Sequence, residues 1–206
     1  MSRPRLVIAT HSAHKLRELR ELLRLDHGEL VSLDDLGITD DPEETGSTFR
    51  TNAAITARFG ARAPGLPPLA DDSGLEVDAL DGGPGVRTRR YAGEHATDQE
   101  NNALLLATLA DLPPERRGGR YVCVLALALP TGENLALTFT QGTCRGRIAT
   151  QARGRGGFGY DPIFEPASEP PGGRTLGLWT PEEKHAISHR ARAARRMAPR
   201  LAALGF

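Results

Sequence analysis

The chain has 206 residues, enough for one α/β domain with a real core, and carries 26 basic and 26 acidic side chains. A formal charge of zero offers no global basic field for nucleic acid or a membrane surface, and no apolar run approaches the roughly 18 residues of a transmembrane helix. Cys123 and Cys144 make no disulfide framework and read as reduced, part-buried strand residues of a cytoplasmic protein, and the N-terminal stretch from Met1 to Ala9 is too brief for a secretory signal.

Arg5 to Thr10 reads as a buried first strand, and Ser12 to Leu25 as a helix whose stripe is Leu16, Leu19, Leu22 and Leu23, with Thr10 or Ser12 as N-cap. A strand, a short polar loop and a helix start form an anion-binding arrangement, because free N–H groups and the positive dipole end face the loop. Lys15 falls in the first turn, where a positive charge is unfavourable unless an anion joins it. An ordinary capped helix with a solvated lysine is the plainer alternative. Only Lys15 and Lys184 are lysine among the 26 basic residues, and a compact point charge is the reason to keep lysine where arginine dominates.

Leu30 to Leu33 is a second short strand, and Asp40 to Gly46 an acidic loop in which Glu43 and Glu44 are candidate carboxylates or merely solvated. Thr48 to Arg62 reads as a helix with Phe49, Ala53, Ile55 and Ala57 apolar. Leu66 to Ala70 then delivers Asp71-Asp-Ser-Gly74 to a strand end. Two adjacent carboxylates there cost several kcal/mol or so each unless a cation joins them, and aspartate oxygens at a tight turn suit a hard cation such as Mg²⁺. An Asx-turn is the alternative.

Leu75 to Leu80 alternates like a strand; Arg87, Arg89 and Arg90 face phosphates or pair with Glu94 and Asp98. Thr97-Asp-Gln-Glu100 is a capping box opening a helix with Leu104, Leu105, Leu106 and Leu109. Arg120 to Leu129 is an apolar strand, Glu133 to Gln141 its antiparallel partner, and Gly142 to Thr150 a third strand. The sheet is therefore mixed and bends into a second lobe with the active cleft between the two. In the glycine-rich loop Gly154 to Pro162, Phe158 is a stacking candidate for a flat ring, or with Tyr160 a cover over a core edge. Thr180-Pro-Glu-Glu183 opens a last helix on which Lys184, Ser188 and His189 share a face flanked by Arg190, either as donors to a base or phosphate or as a charged surface. Met197 to Leu204 continues it, disturbed by Pro199.

Six motifs stand in order: Thr10 and Lys15 between a strand and a helix, Pro42-Glu-Glu-Thr-Gly46, Ala70-Asp-Asp-Ser-Gly-Leu75, Pro84-Gly-Val86 with Arg90-Tyr-Ala-Gly93, Gly156-Gly-Phe-Gly-Tyr-Asp-Pro-Ile-Phe164, and Glu183-Lys-x-x-Ile-Ser-His-Arg190. Together, from Val7 to about Arg190, the chain closely resembles the inosine/xanthosine triphosphate pyrophosphatase family, enzymes that clear non-standard purine nucleotides. The resemblance implies an α/β fold with a long mixed β-sheet, flanking helices and two lobes, and usually a homodimer. It implies Mg²⁺-dependent hydrolysis of ITP, dITP or XTP to the monophosphate and pyrophosphate. Carried onto this chain, it implies that Thr10, His11, Ser12, Ala13, His14 and Lys15 hold the triphosphate. Glu43 and Asp72 bind the metal, Asp72 also serving as base or water-orienter, and Ser73 contacts substrate. Phe158, Gly159, Tyr160 and Asp161 line the base and sugar site with Phe158 stacked on the purine, and Lys184, His189 and Arg190 complete the base pocket. A related enzyme acting on pyrimidine or modified nucleotides and a non-catalytic nucleotide sensor are the alternatives.

Three positions depart from the family pattern. Its Thr-Gly-Asn is here Thr10-His11-Ser12, a lysine often found on the second helix is here Thr56 with Arg58 or Arg62 as substitutes, and Arg87-Thr-Arg89 is unusually basic.

Overall fold

The computed structural model describes residues 3–63, 65–132 and 134–206. Met1 and Ser2 of the N-terminal stretch, and Glu133, the expected start of a strand, lie outside them. Among the described residues six strands form one sheet in the order β2-β1-β3-β4-β5-β6: β1 (Arg5–Ala9), β2 (Glu29–Ser32), β3 (Pro68–Val77), β4 (Gly118–Thr131), β5 (Asn134–Ile148) and β6 (Phe164–Pro166). β1 pairs in parallel with β2, Val7 opposite Val31, and with β3, Ile8 opposite Leu69. β5 and β6 are antiparallel, with Arg147 opposite Glu165. The expected mixed α/β fold is what the chain adopts.

Five helices accompany the sheet among the described residues: α1 (Ala13–Leu22), α2 (Phe49–Gly60), α3 (Asp98–Thr108), α4 (Pro181–Ile187) and α5 (His189–Ala202). Their starts follow the local chemistry. Ser12, rather than Thr10, caps α1 by accepting from Lys15 N, and reciprocal capping boxes open α2 at Thr48/Thr51, α3 at Thr97/Glu100 and α4 at Thr180/Glu183.

The chain divides into two compact units. The first takes the chain up to Asp72, Cys123–Gly142 and Arg190–Phe206. Its core joins Leu6, Ile8, Leu69 and Leu125 of the strands to Leu19 and Leu23 and to Ala193, Met197 and Leu201 of α5. The second takes Ser73–Val122 and Thr143–His189, with Leu75, Val77, Leu105, Leu109, Tyr121, Ile148, Phe164 and Leu176 in its core. Burying each such leucine stabilises by about 1.5–3 kcal/mol. Cys123 and Cys144 are buried strand residues, not joined to each other.

Three expectations are corrected. Asp71-Asp-Ser-Gly74 is no turn: β3 runs through it unbroken for ten residues, with both carboxylates buried. Alternation along a strand sends the two side chains to opposite faces, so each finds its own surroundings. Likewise Gly142 does not separate two strands but lies inside the 15-residue β5. The last helix is not continuous either. Ser188 is extended (φ −61°, ψ 156°), its N–H closes α4 on Lys184 O, and the helical stripe expected from Lys184 through Arg195 is broken there. Pro199 lies inside α5, which still extends to Ala202.

Candidate active site

In the first unit, α1 and β3 bring a buried ionic cluster together. Lys15 Nζ lies 3.0 Å from Asp71 Oδ1 and donates to the Asp71 carbonyl at 3.1 Å. The anion that joins the lysine in the first turn of α1 is thus Asp71. Arg190 Nε donates to Asp71 Oδ2 at 2.8 Å, its Nη1 to Glu18 Oε2, and the Cys123 thiol to Asp71 Oδ2 at 3.1 Å. Burial alone would raise the Asp71 pKa, but Arg190 and Lys15 together hold its carboxyl far below the ordinary carboxylate range. Arg190 is held well above its ordinary value despite burial, chiefly by Asp71 and Glu18. The structure therefore assigns Arg190 to this carboxylate cluster.

Asp72 is the opposite case. Burial pushes its pKa up to about 7; Lys15 pulls it down, Glu44 and Asp71 push it further up, and the Asn52 side chain pulls it down slightly. Asn52 also accepts from Gly46 N at 2.8 Å, tying α2 to the end of the acidic loop. Of the two loop glutamates, Glu44 is half-buried and its charge raises the Asp72 pKa, while Glu43 is solvent-exposed.

The loop ahead of α1 is braced rather than open. Ser12 N donates to Thr10 Oγ1 at 3.1 Å. His11 meets Asp34 Oδ1 through Nδ1 at 2.9 Å and the Asp40 carbonyl through Nε2 at 3.0 Å. Ala13 and His14 are exposed, His14 in contact with Arg17. Thr56 is buried on α2; Arg58 is exposed and Arg62 lies over the Phe59 ring at 4.5 Å.

In the second unit, Lys184 Nζ donates to Asp161 Oδ2 at 2.6 Å and stands 4.6 Å from the Phe158 ring centroid. The same carboxylate oxygen accepts from Phe158 N at 2.9 Å. Lys184 and Asp161 are both buried, while Phe158 and Gly159 are half-buried. His189 is buried with its ring stacked on Tyr121 at 4.7 Å and 8°. Tyr160 instead belongs to the core, its hydroxyl donating to the Thr88 carbonyl at 2.7 Å. Ser73 follows Asp72 in β3 and is half-buried. Arg90 pairs with Glu94 at 4.0 Å, but Asp98 accepts from Gly159 N instead of pairing with an arginine.

Sequence reasoning missed Asp71 as a separate anchor, and with it Glu18, Cys123, Asn52 and Tyr121. One signal was available: Glu18 and Asn52 each interrupt the apolar face of an amphipathic helix beside Leu19 and Ala53.

The sequence profile of the Ham1 family matches residues 6–200. The chain belongs to the Ham1 family. This Ham1-family chain is similar to a dITP/XTP pyrophosphatase of Nocardia farcinica, 49% identical across 99% of this chain and 98% of that one. A dITP/XTP pyrophosphatase of Cutibacterium acnes is 48% identical, covering 97% of each. Among solved structures, a HAM1 protein from Coxiella burnetii matches with a TM-score of 0.85 and 41% identity over 97% of this chain and 98% of that one. A nucleoside-triphosphatase / dITP/XTP pyrophosphatase from Mycobacterium abscessus matches with a TM-score of 0.74 and 46% identity over 95% and 99%.

The donor set of the Ham1-family chain fits a magnesium ion. Among the described residues no three His, Cys, Asp or Glu side chains gather into a protein-only cage. Mg²⁺ favours one or two carboxylates, with substrate phosphates and water completing the shell. Asp72 is buried, and with Glu44 and Asp71 acting on it as well its carboxylate stays above its ordinary pKa despite the charge of Lys15, a cost that a divalent ion would relieve.

Proposed function

We propose that this protein hydrolyses non-standard purine nucleoside triphosphates, ITP, dITP and XTP, to the monophosphate and pyrophosphate, with Mg²⁺. The observation that carries the reading is the 49% identity across 99% of the chain to a protein named dITP/XTP pyrophosphatase. The site chemistry supports it. Asp72 is a buried carboxylate with a raised pKa, of the kind that clusters where proton transfer or metal binding is needed. Lys15 supplies a compact cation beside it.

Asp72 and a loop glutamate, Glu43 or Glu44, are the residues that would hold the metal. When bound, Mg²⁺ supplies Lewis-acid neutralisation of charge on the phosphates. Asp72 orients a water molecule for in-line attack on the α-phosphorus and takes up its proton. The new bond joins the water oxygen to that phosphorus, the α–β bridging bond breaks, and pyrophosphate departs. Lys15, held by Asp71, stands as a fixed cation for the phosphate tail, and the N–H groups at the start of α1 add to it.

Phe158 stacks on the purine, and Lys184 and His189 provide the polar groups of the base site. Hypoxanthine and xanthine present an oxygen at position 6 that accepts from buried donors. Adenine presents an amino group there and leaves such donors unpaired, a cost on the order of 1–3 kcal/mol per contact. The lack of a disulfide fits a reducing compartment, the cytoplasm, and the family resemblance supports a homodimer, which light scattering on the eluting protein measures.

Pyrophosphate release from ITP, XTP, GTP, dTTP and UTP tests the reading. Rapid turnover of ITP and XTP alone is expected. Preference for dTTP or UTP would move the assignment to pyrimidine nucleotides, and ITP binding without pyrophosphate release would make the protein a sensor.

A further inference from the structure

The loop that carries Phe158 has little geometry of its own. Phe158 sits between Gly157 and Gly159, whose φ angles are +72° and +61°, and residues 151–160 contribute no strand or helix. Glycines on both sides leave the backbone wide freedom, so the ring is placed only as well as its neighbours are tied from outside. One tie is the Asp161 carboxylate on Phe158 N.

The second tie comes from α3. Asp98 Oδ2 accepts from Gly159 N at 2.6 Å, and one turn further on Asn102 Nδ2 donates to Gly159 O at 3.1 Å. Residues four apart share a helix face, so one rigid element grips both polar groups of one glycine. Between them Asn101 accepts from Ala92 N at 2.8 Å and donates to Arg89 O at 2.9 Å. α3 is itself held by its capping box and by Leu105 and Leu109 in the core. The Asn102 side-chain oxygen is buried and takes no hydrogen bond among the described residues. An amide with an unmet acceptor is a poor packing choice, which leaves its donor to Gly159 as the reason for it.

We propose that Asp98 and Asn102 are positioning residues that set the pose of Phe158 against the purine, and so govern base affinity without touching substrate. This rests on the reading of Phe158 as the purine-stacking side chain.

The test uses the full chain and measures kcat and KM for ITP, the inhibition constant of inorganic tripolyphosphate, and the melting temperature. Asp98→Ala and Asn102→Leu are expected to raise KM for ITP about five- to twenty-fold with kcat within about twofold, the signature of lost ground-state binding. Tripolyphosphate, which has no base, is expected to inhibit as before. Asp98→Asn keeps an oxygen facing the Gly159 N–H and restores KM to within about twofold of the parent. Asp98 is exposed, so its variants test the proposal even if Asn102→Leu does not fold. An unmoved KM in Asp98→Ala, or a parallel loss of tripolyphosphate inhibition, overturns the proposal. Phe158→Ala separates the two layers. If it raises KM while the α3 variants do not, only the clamp fails; if it leaves KM unchanged, the base-site reading fails and the clamp with it.

Discussion

Lys184 and Asp161 form a buried ion pair at 2.6 Å, with only 6% and 2% of the two side chains exposed. The aspartate also holds the Phe158 backbone, so the pair is both a stability element and a brace for the loop. Asp161→Asn takes this counter-charge from the buried ammonium, and removing one partner of such a pair costs about 3–5 kcal/mol. Urea unfolding is expected to show that loss, with a lower midpoint and an unchanged slope.

Asp72→Asn separates chemistry from folding. Pyrophosphate release is expected to fall by orders of magnitude, since an amide neither takes a proton nor binds a hard cation well. Stability in chelator at pH 8 is expected to hold or rise, because the substitution removes a buried charge beside Asp71 and Glu44. Near-parent turnover would remove Asp72 from the reaction.

His11 brings a pH dependence. Both its ring nitrogens face acceptors, the Asp34 carboxylate and the Asp40 carbonyl, and only the protonated ring donates to both. Burial lowers its pKa, but the Asp40 and Asp34 hydrogen bonds and the Asp41 charge outweigh this and raise it above 6.5. A histidine raised on folding contributes stability that is complete below its unfolded pKa near 6.5 and is lost as pH rises through the folded value. The melting temperature of His11→Ala is thus expected to trail the parent at pH 5.5 and to converge with it at alkaline pH. With the ring near the surface, the difference is under about 1 kcal/mol.

Arg117 is a buried guanidinium whose acceptors are main-chain: it donates to the carbonyls of Leu109, just after α3, and of Ile148 and Ala149, at the end of β5 and just past it. Arg117→Met fills the space but leaves three carbonyls without that donor, at about 1–3 kcal/mol for each that stays dry. A drop of several degrees in melting temperature is expected, and Arg117→Lys is expected to recover only part of it because an ammonium lacks the planar fork.

Much of this protein was legible locally. The capping boxes at Thr97/Glu100 and Thr180/Glu183 lie within four residues, and they start helices where expected. The leucine stripe of α1 required only helical periodicity, with Leu19 and Leu23 inside. The two lysines that survive among arginines each meet a buried aspartate, although Arg190 shares Asp71 with Lys15. The break at Ser188 was not legible, since nothing in Ile187-Ser-His189 forbids a helix there. Nor was the separation of Asp71 from Asp72. Both read as one acidic pair, yet their surroundings come from segments as far off as α5 and α2.

The sequence by itself determined where most helices start, the family, and the residue types that the chemistry needs, because periodicity, caps and motifs act over a few neighbours, whereas the run of β3 through Asp71-Asp-Ser-Gly74, the unbroken β5 and the break at Ser188 were left to the fold. Only the tertiary structure decided which carboxylate is neutralised and which is left strained, that Arg190 serves Asp71 and Glu18, and that α3 grips Gly159. Those outcomes depend on burial and on charges brought close from distant parts of the chain, and desolvation and Coulomb interaction have no counterpart in the order of residues.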